Sequence, residues 1–291
     1  MGKETESPLS TLELQFWERI SKDYRLEIAC VNRSLELIQK INNYLYDEVH
    51  ADISLEEPVV MVKKILHKPR HRSGKPASQW SKADLFRQFI KKPDQLRQMV
   101  WSLLCVEATE RLTSARLLAL TGHYSRVLSC VRDSNESLCW ADFCLTNEQA
   151  SELWLKGKKV EPPKSFRYKF PLSKHVGHPG DLDKFGTHSY IEAVETSILP
   201  IGPFTGDLEY SKSETIEKIH KEHTLACLGI LLQSINTQLL YLTNLRPDLK
   251  NKFPETDNMV EAIDYIECRL IDEIKELNEN YKRYLKQHLS S

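Results

Sequence analysis

From Leu9 to Val49 the apolar residues recur in steps of three and four: Leu9, Leu12, Phe16, Ile20, Tyr24, Ile28, Val31, Leu35, Ile38, Ile41, Leu45 and Val49. This spacing lays a single stripe along an α-helix, and no proline or glycine interrupts it before Pro58. A helix of some forty residues is about 60 Å long, more than a compact monomer usually needs. Its end is therefore expected to project, to pack on a partner subunit, or to break near Asn42–Asn43. This length is the reason to expect a homo-oligomer, with a dimer as the simplest form.

The same period continues along most of the chain. A short helix is predicted around Glu57–His67, and the stretch Lys68–Trp80 (KPRHRSGKPASQW), with its glycine and two prolines, reads as a loop. Ser81 caps a short helix over Lys82–Lys91, and Pro93 stands at the first turn of a long one reaching Leu120. Thr121–Gly122–His123 is a bend or tight turn before a helix over Tyr124–Leu145. Asn147 caps Glu148–Lys156 and Gly157 closes it. Irregular chain is expected over Lys158–Gly186, followed by a short helix at His188–Thr196 and a loop. Ser213 then opens a strong helix to about Leu245, which Pro247 ends, and Asp257 starts the last one, Asn258–His288. Leu225, Leu228, Leu232, Ile235, Leu239 and Leu242 can face Met259, Ile263, Ile266, Leu270, Ile274 and Leu277 across an antiparallel hairpin over residues 213–288. No alternating strand pattern and no repeat is present. The expected fold is all-α, one helical-bundle domain over residues 1–291 with long antiparallel helices and an irregular insertion at 157–212.

Composition narrows the functional classes. With 41% hydrophobic and 28% charged residues and a net charge of -1, the chain is not built mainly to coat nucleic acid or an anionic membrane. No run of eighteen apolar residues predicts a membrane span. The start MGKETESPLS has no apolar signal core, and Glu6 breaks the myristoylation pattern that Met-Gly begins. A cytoplasmic protein without membrane contact is expected. The seven cysteines form no CxxC pair and lie in or near apolar helical patterns, so buried free thiols are expected rather than disulfides or a zinc site.

Candidate chemistry begins in His123–Phe143, HYSRVLSCVRDSNESLCWADF. At 100° per residue, Leu128, Arg132, Asn135, Glu136, Cys139 and Phe143 fall on one flank of the helix. Arg132 and Glu136 are one turn apart, between apolar rows. They form either a structural ion pair or a polar pocket in which Arg132 holds an anion and Glu136 a cation or proton. An arginine stays charged, so Arg132 would act as a clamp rather than a base.

Three histidines, two aspartates and three glycines crowd Lys174–Tyr190, KHVGHPGDLDKFGTHSY. His175 and His178 have a ligand-like spacing that Asp181, Asp183 or His188 could complete, yet no standard zinc signature is present. Glu217 and His220 make one Glu-x-x-His with His223 close by, but a di-metal bundle needs a second such motif, so packing is the simpler reading. No cofactor is expected. His188, in GTHSYIEAVE, falls in the first turn of its predicted helix, where the helix end disfavours the protonated ring. Between Pro58 and Ala83, Lys63, Lys64, Lys68, Arg70, Arg72, Lys75 and Lys82 stand without an acid among them after Glu57. Lys68, Arg70, Arg72 and Lys75 are candidate contacts to an RNA backbone; a solvated loop is the plainer alternative. No phosphate loop, Rossmann fingerprint or GxSxG elbow is present.

The segments LLALTGHYSRVLSCVRDSNESLCWADF, EQASELWLKGKKV and FGTHSYIEAV resemble a group of poorly characterised prokaryotic helical proteins. These are similar in turn to the HEPN-like superfamily of α-helical bundles, and the resemblance spans about residues 107–195. It implies either a scaffold or dimerising partner, in a stress or defence setting, or a metal-independent ribonuclease. Active HEPN ribonucleases carry arginine, then histidine four to six residues on. Here DSNESLCWADF follows Arg132 without a histidine, so activity would require His188 or His123 from elsewhere. The leading expectation is a non-enzymatic binding or scaffolding protein. The alternatives are a ribonuclease using Arg132, Glu136 and His188, or a metal-binding hydrolase.

Overall fold

The computed structural model describes residues 11–50, 93–158, 162–167 and 214–289, and among these it is an all-α bundle without strands. The helices are α1 (Thr11–Asp23), α2 (Arg25–His50), α3 (Pro93–Leu120), α4 (Tyr124–Thr146), α5 (Glu148–Leu155), α6 (Lys164–Arg167), α7 (Glu214–Leu245), α8 (Asp248–Lys252) and α9 (Glu255–Leu289). The predicted helices at 57–67, 82–91 and 188–196 and the loop at 68–80 lie outside the described residues.

The long amino-terminal helix departs from regular geometry at Tyr24, not at Asn42–Asn43. Even there the ladder persists, with Tyr24 N–H donating to the Ile20 carbonyl at 2.9 Å and Ile28 N–H to the Tyr24 carbonyl at 3.0 Å. Asn42 is inside α2, buried, and its Nδ2 donates to the Cys105 carbonyl at 3.3 Å. The amide that looked like a helix breaker is a packing contact.

Helix ends follow the sequence signals. Asn147 caps α5 by accepting from Ala150 N–H at 3.0 Å, and Gly157 closes it at φ +66°. The α3–α4 turn closes in the same way: His123 N–H reaches the Leu118 carbonyl at 2.9 Å and Gly122 N–H the Ala119 carbonyl at 3.3 Å. These are the paired bonds of a Schellman end, which needs a left-handed residue, and Gly122 supplies it at φ +81°. Between α7 and α9 the sequence predicts only a proline stop. The structure inserts the single turn α8, and α9 begins at Glu255, three residues earlier than expected.

Gly122 also touches α1. A Cβ built there would lie 3.4 Å from Phe16 Cδ1, whereas one on Gly157 meets nothing within 4 Å. Gly122→Ala therefore sets a Cβ in ordinary contact with Phe16 on a left-handed backbone. We expect it to cost about 1 kcal/mol in urea unfolding, much as Gly157→Ala does, since the backbone term dominates at both. A far larger loss at Gly122 would show that Phe16 presses on the turn.

The chain divides into two compact units: residues 1–38, 109–135 and 171–291, and residues 39–108 and 136–170. In the first, α7 is the central helix, with Leu225, Leu231, Leu232, Ile235, Leu239 and Leu242 excluded from solvent. It runs antiparallel to α9, as Lys221–Glu273 (2.7 Å) and Asn236–Asp264 (2.8 Å) record, with Gly229 against Leu270. It runs parallel to α4, since Tyr124 bonds Thr224 and Asn135 bonds Ser234. Parallel neighbours cannot be joined by a tight turn. Residues 224–245 of α7 are long and apolar enough to cross a membrane by length and composition alone, although they contain no run of eighteen apolar residues. Most of them are buried within the bundle.

In the second unit, Ile41, Leu45, Met99, Leu104 and Leu138 form the core. Phe143 meets Phe166 edge-on with centroids 5.1 Å apart, a geometry suited to the ring quadrupoles. Ser151 Oγ donates to the Cys144 carbonyl at 2.8 Å and ties α5 to α4.

Candidate functional site on the fourth helix

α4 carries Arg132 and Glu136 one turn apart, but neither lies at the centre of its buried face. Arg132 is half-buried and Glu136 exposed. The buried face is centred on Val131, Leu138 and Asp142, which fall within about 40° of one another on the wheel. Arg132 sits about 100° from that centre and Glu136 about 140°. The apolar rows therefore run to one side of Arg132 and Glu136, and Glu136 is in solvent.

The polar residues that are enclosed on α4 are Ser134, Asn135 and Asp142, all under 7% exposed. Asn135 Oδ1 accepts from Ser234 Oγ of α7 at 2.8 Å. On the same side of α7, Gln238 Nε2 donates to Thr109 Oγ1 of α3 at 2.8 Å. About three turns earlier, Tyr124 Oη and Thr224 Oγ1 are 2.7 Å apart. These neutral pairs set the register of α3, α4 and α7, since a shift of one residue would bury each polar group against hydrocarbon. Asp142 belongs to the other unit, close enough to Cys105 to add to the effect of burial in raising that thiol's pKa. Its signal was present in the sequence: Asp142 is four residues after Leu138 and eleven after Val131, hence on their face.

The nucleophile candidates are quiet. Cys30, Cys105, Cys139, Cys144 and Cys227 are buried, Cys130 is half-buried, and Cys268 alone of the seven is exposed. Burial pushes Cys144 and Cys227 up to about 12, so both stay as poorly nucleophilic thiols at neutral pH. Exposed Cys268 departs from the expectation that every thiol is buried.

His123, one possible stand-in for the missing ribonuclease histidine, has its Nε2 3.1 Å from Glu13 Oε1 on α1. It precedes Arg132 by nine residues, about 13 Å along the helix, and so is not brought to it. His188, His175, His178, Asp181 and Asp183 lie outside the described residues, as do Lys68, Arg70, Arg72 and Lys75. His220 and His223 fall within α7. Among the described residues no group of three or more His, Cys, Asp or Glu is placed to hold a metal ion.

A charged pair missed by the sequence reading lies elsewhere in the first unit. Glu27 of α2, with a side chain only 4% exposed, forms an ion pair with Arg269 of α9. Its two members are 242 residues apart, and no local pattern links them. The pair's position against a bundle core makes it a structural tie rather than an open site. Comparison of the chain with protein-family models, curated proteins and solved structures finds no match.

Proposed function

We propose that this chain is a non-enzymatic helical binding or scaffolding protein that works as a homo-oligomer. The observation that supports this most is the state of α4. On α4, Arg132 is half-buried and Glu136 exposed, and the enclosed polar residue Asn135 is already bonded to Ser234. A half-buried arginine and a solvated glutamate suit a surface that meets another macromolecule, whereas general acid–base work needs groups held at hydrogen-bond reach of a reacting atom. The run of lysines and arginines between residues 63 and 82 adds a means of holding RNA by its phosphates, through Lys68, Arg70, Arg72 and Lys75.

The test uses the full chain with single-stranded RNA in EDTA, wild type against Arg132→Ala. The scaffold reading expects no cleavage above that of the variant, and RNA retention that falls steeply with salt. Metal-independent cleavage that the variant loses would overturn it in favour of a HEPN-like ribonuclease with Arg132 and His188 at its centre.

A further inference from the structure

The outer side of α1 and α2 carries positive charge that no acid of the same surface offsets. The core side of this helical pair holds Ile20, Tyr24, Val31 and Ile38. Opposite them on the wheel stand Lys22, Arg25 and Arg33, all exposed and within about 80° of one another. The bonds that carry the helix through Tyr24 keep Lys22 in phase with the other two, and the three span about 16 Å of helix. Within residues 19–35 the acids are Asp23 and Glu27. Both are engaged, Asp23 with Arg19 at 3.8 Å and Glu27 with Arg269. Glu18 and Glu36 stand only at the two ends of this stretch. Among the described residues, Lys22, Arg25 and Arg33 have no ion-pair partner.

Arg116 of α3 adds a fourth cation on the same flank. Its Nη1 donates to Asn32 Oδ1 of α2 at 2.7 Å, and Asn32 lies two turns after Arg25 and beside Arg33. Its Nε is buried without a hydrogen-bond partner. An arginine stays charged in a protein. This one is held half-buried by a neutral amide, with no acid among the described residues to balance it. A bound anion would supply that balance.

We propose that Lys22, Arg25, Arg33 and Arg116 form a contact face for the phosphates of single-stranded RNA. The proposal deepens the RNA-holding part of the reading above and rests on it. Three of the four cations are arginines, whose planar fork matches phosphate oxygens. A row of charge fixed on a helix suits a chain that repeats one phosphate per nucleotide, and such contacts position the strand without reading its sequence.

The test measures RNA affinity of the full chain by fluorescence anisotropy over a salt series, in EDTA and in an Arg132→Ala background so that no cleavage intervenes. Each phosphate contact adds about 0.7 to the slope of log K against log salt for a single strand. Lys22→Ala/Arg25→Ala/Arg33→Ala is therefore expected to lower the slope by about 2 and to weaken binding roughly tenfold or more. Arg116→Gln should lower the slope by about 0.7. Leu26→Glu, which sets an acid at an exposed position among these cations, should weaken binding with folding unchanged by circular dichroism. Arg246→Ala/Lys250→Ala/Lys275→Ala removes the same net charge from cations already paired with acids, and should leave the slope as it was. A triple variant with an unaltered slope, or a control that loses as much, would overturn the face. Tighter binding of polyglutamate than of RNA at equal charge, lost in the same triple variant, would assign the face to an acidic protein instead. Loss of RNA only in Lys68→Ala/Arg70→Ala/Arg72→Ala/Lys75→Ala would remove this face and leave the RNA reading standing. Cleavage by the wild type that Arg132→Ala abolishes would sink the scaffold reading and leave the face to be judged by its own slope.

Discussion

Replacing Tyr124 with alanine is expected to lower the stability of the chain by about 3–5 kcal/mol, the range for removing a fully enclosed aromatic ring. Tyr124 is 1% exposed and opens α4, immediately after the α3–α4 turn. Its ring is enclosed, and its hydroxyl lies 2.7 Å from Thr224 Oγ1 of α7. Its carbonyl accepts a weak contact from Cys227 Sγ at 3.8 Å. Burial pushes the phenol well above its ordinary range, so it remains a neutral hydrogen-bonding group at any working pH. The alanine variant loses the packing and the bond together, and a series separates them. Tyr124→Phe keeps the ring and should cost only about 1–2 kcal/mol, the cost of losing a partner for a buried hydroxyl. Adding Thr224→Val to Tyr124→Phe should recover part of that, because both polar groups are then gone. Urea unfolding with constant slope reads all three. A loss under about 1 kcal/mol for Tyr124→Ala would mean that the ring is not enclosed as described.

The second large effect concerns Glu27 and Arg269. Arg269→Met keeps much of the side-chain volume but leaves the Glu27 carboxylate, 4% exposed, without its guanidinium. Breaking one side of a buried pair strands a charge in a poor dielectric. Arg269 itself is 40% exposed, so water can reach the carboxylate's edge and the full penalty does not apply. We expect a loss of about 2–3 kcal/mol. The double variant Glu27→Met with Arg269→Met should be nearly as stable as the wild type, since no charge is then buried. That non-additivity is the signature of the pair. If the double variant is instead the sum of two large losses, Glu27 and Arg269 act through separate contacts.

Both effects involve partners far apart in the chain, which marks how far the sequence could be read. The helical stripe through Val31, Leu35 and Ile38, the cap at Asn147 and the left-handed glycine after α5 follow from rules that operate over four or five residues. Position on a helical wheel is also local, but its zero is not. The flank containing Arg132, Asn135 and Glu136 could be drawn from spacing alone. Whether the core lay beneath Asn135 or beneath Glu136 depended on where α7 packs. Packing buried Asn135 and turned Asp142 inward, and left Arg132 half-buried and Glu136 exposed.

The sequence by itself determined that this chain is all-α, where most described helices start and stop, and that α7 and α9 carry long apolar stripes. These are set by periodicity and capping, both encoded within a few turns. Only the tertiary structure decided that α4 and α7 run parallel, that Asn135 bonds Ser234 and Thr109 bonds Gln238, that Glu27 meets Arg269, and that Cys268 faces outward. Such pairings depend on which helix faces which across the core. Apolar side chains do not specify that choice, because burial free energy scales with area and has no direction. The sparse buried polar groups do specify it, since each has to find its partner.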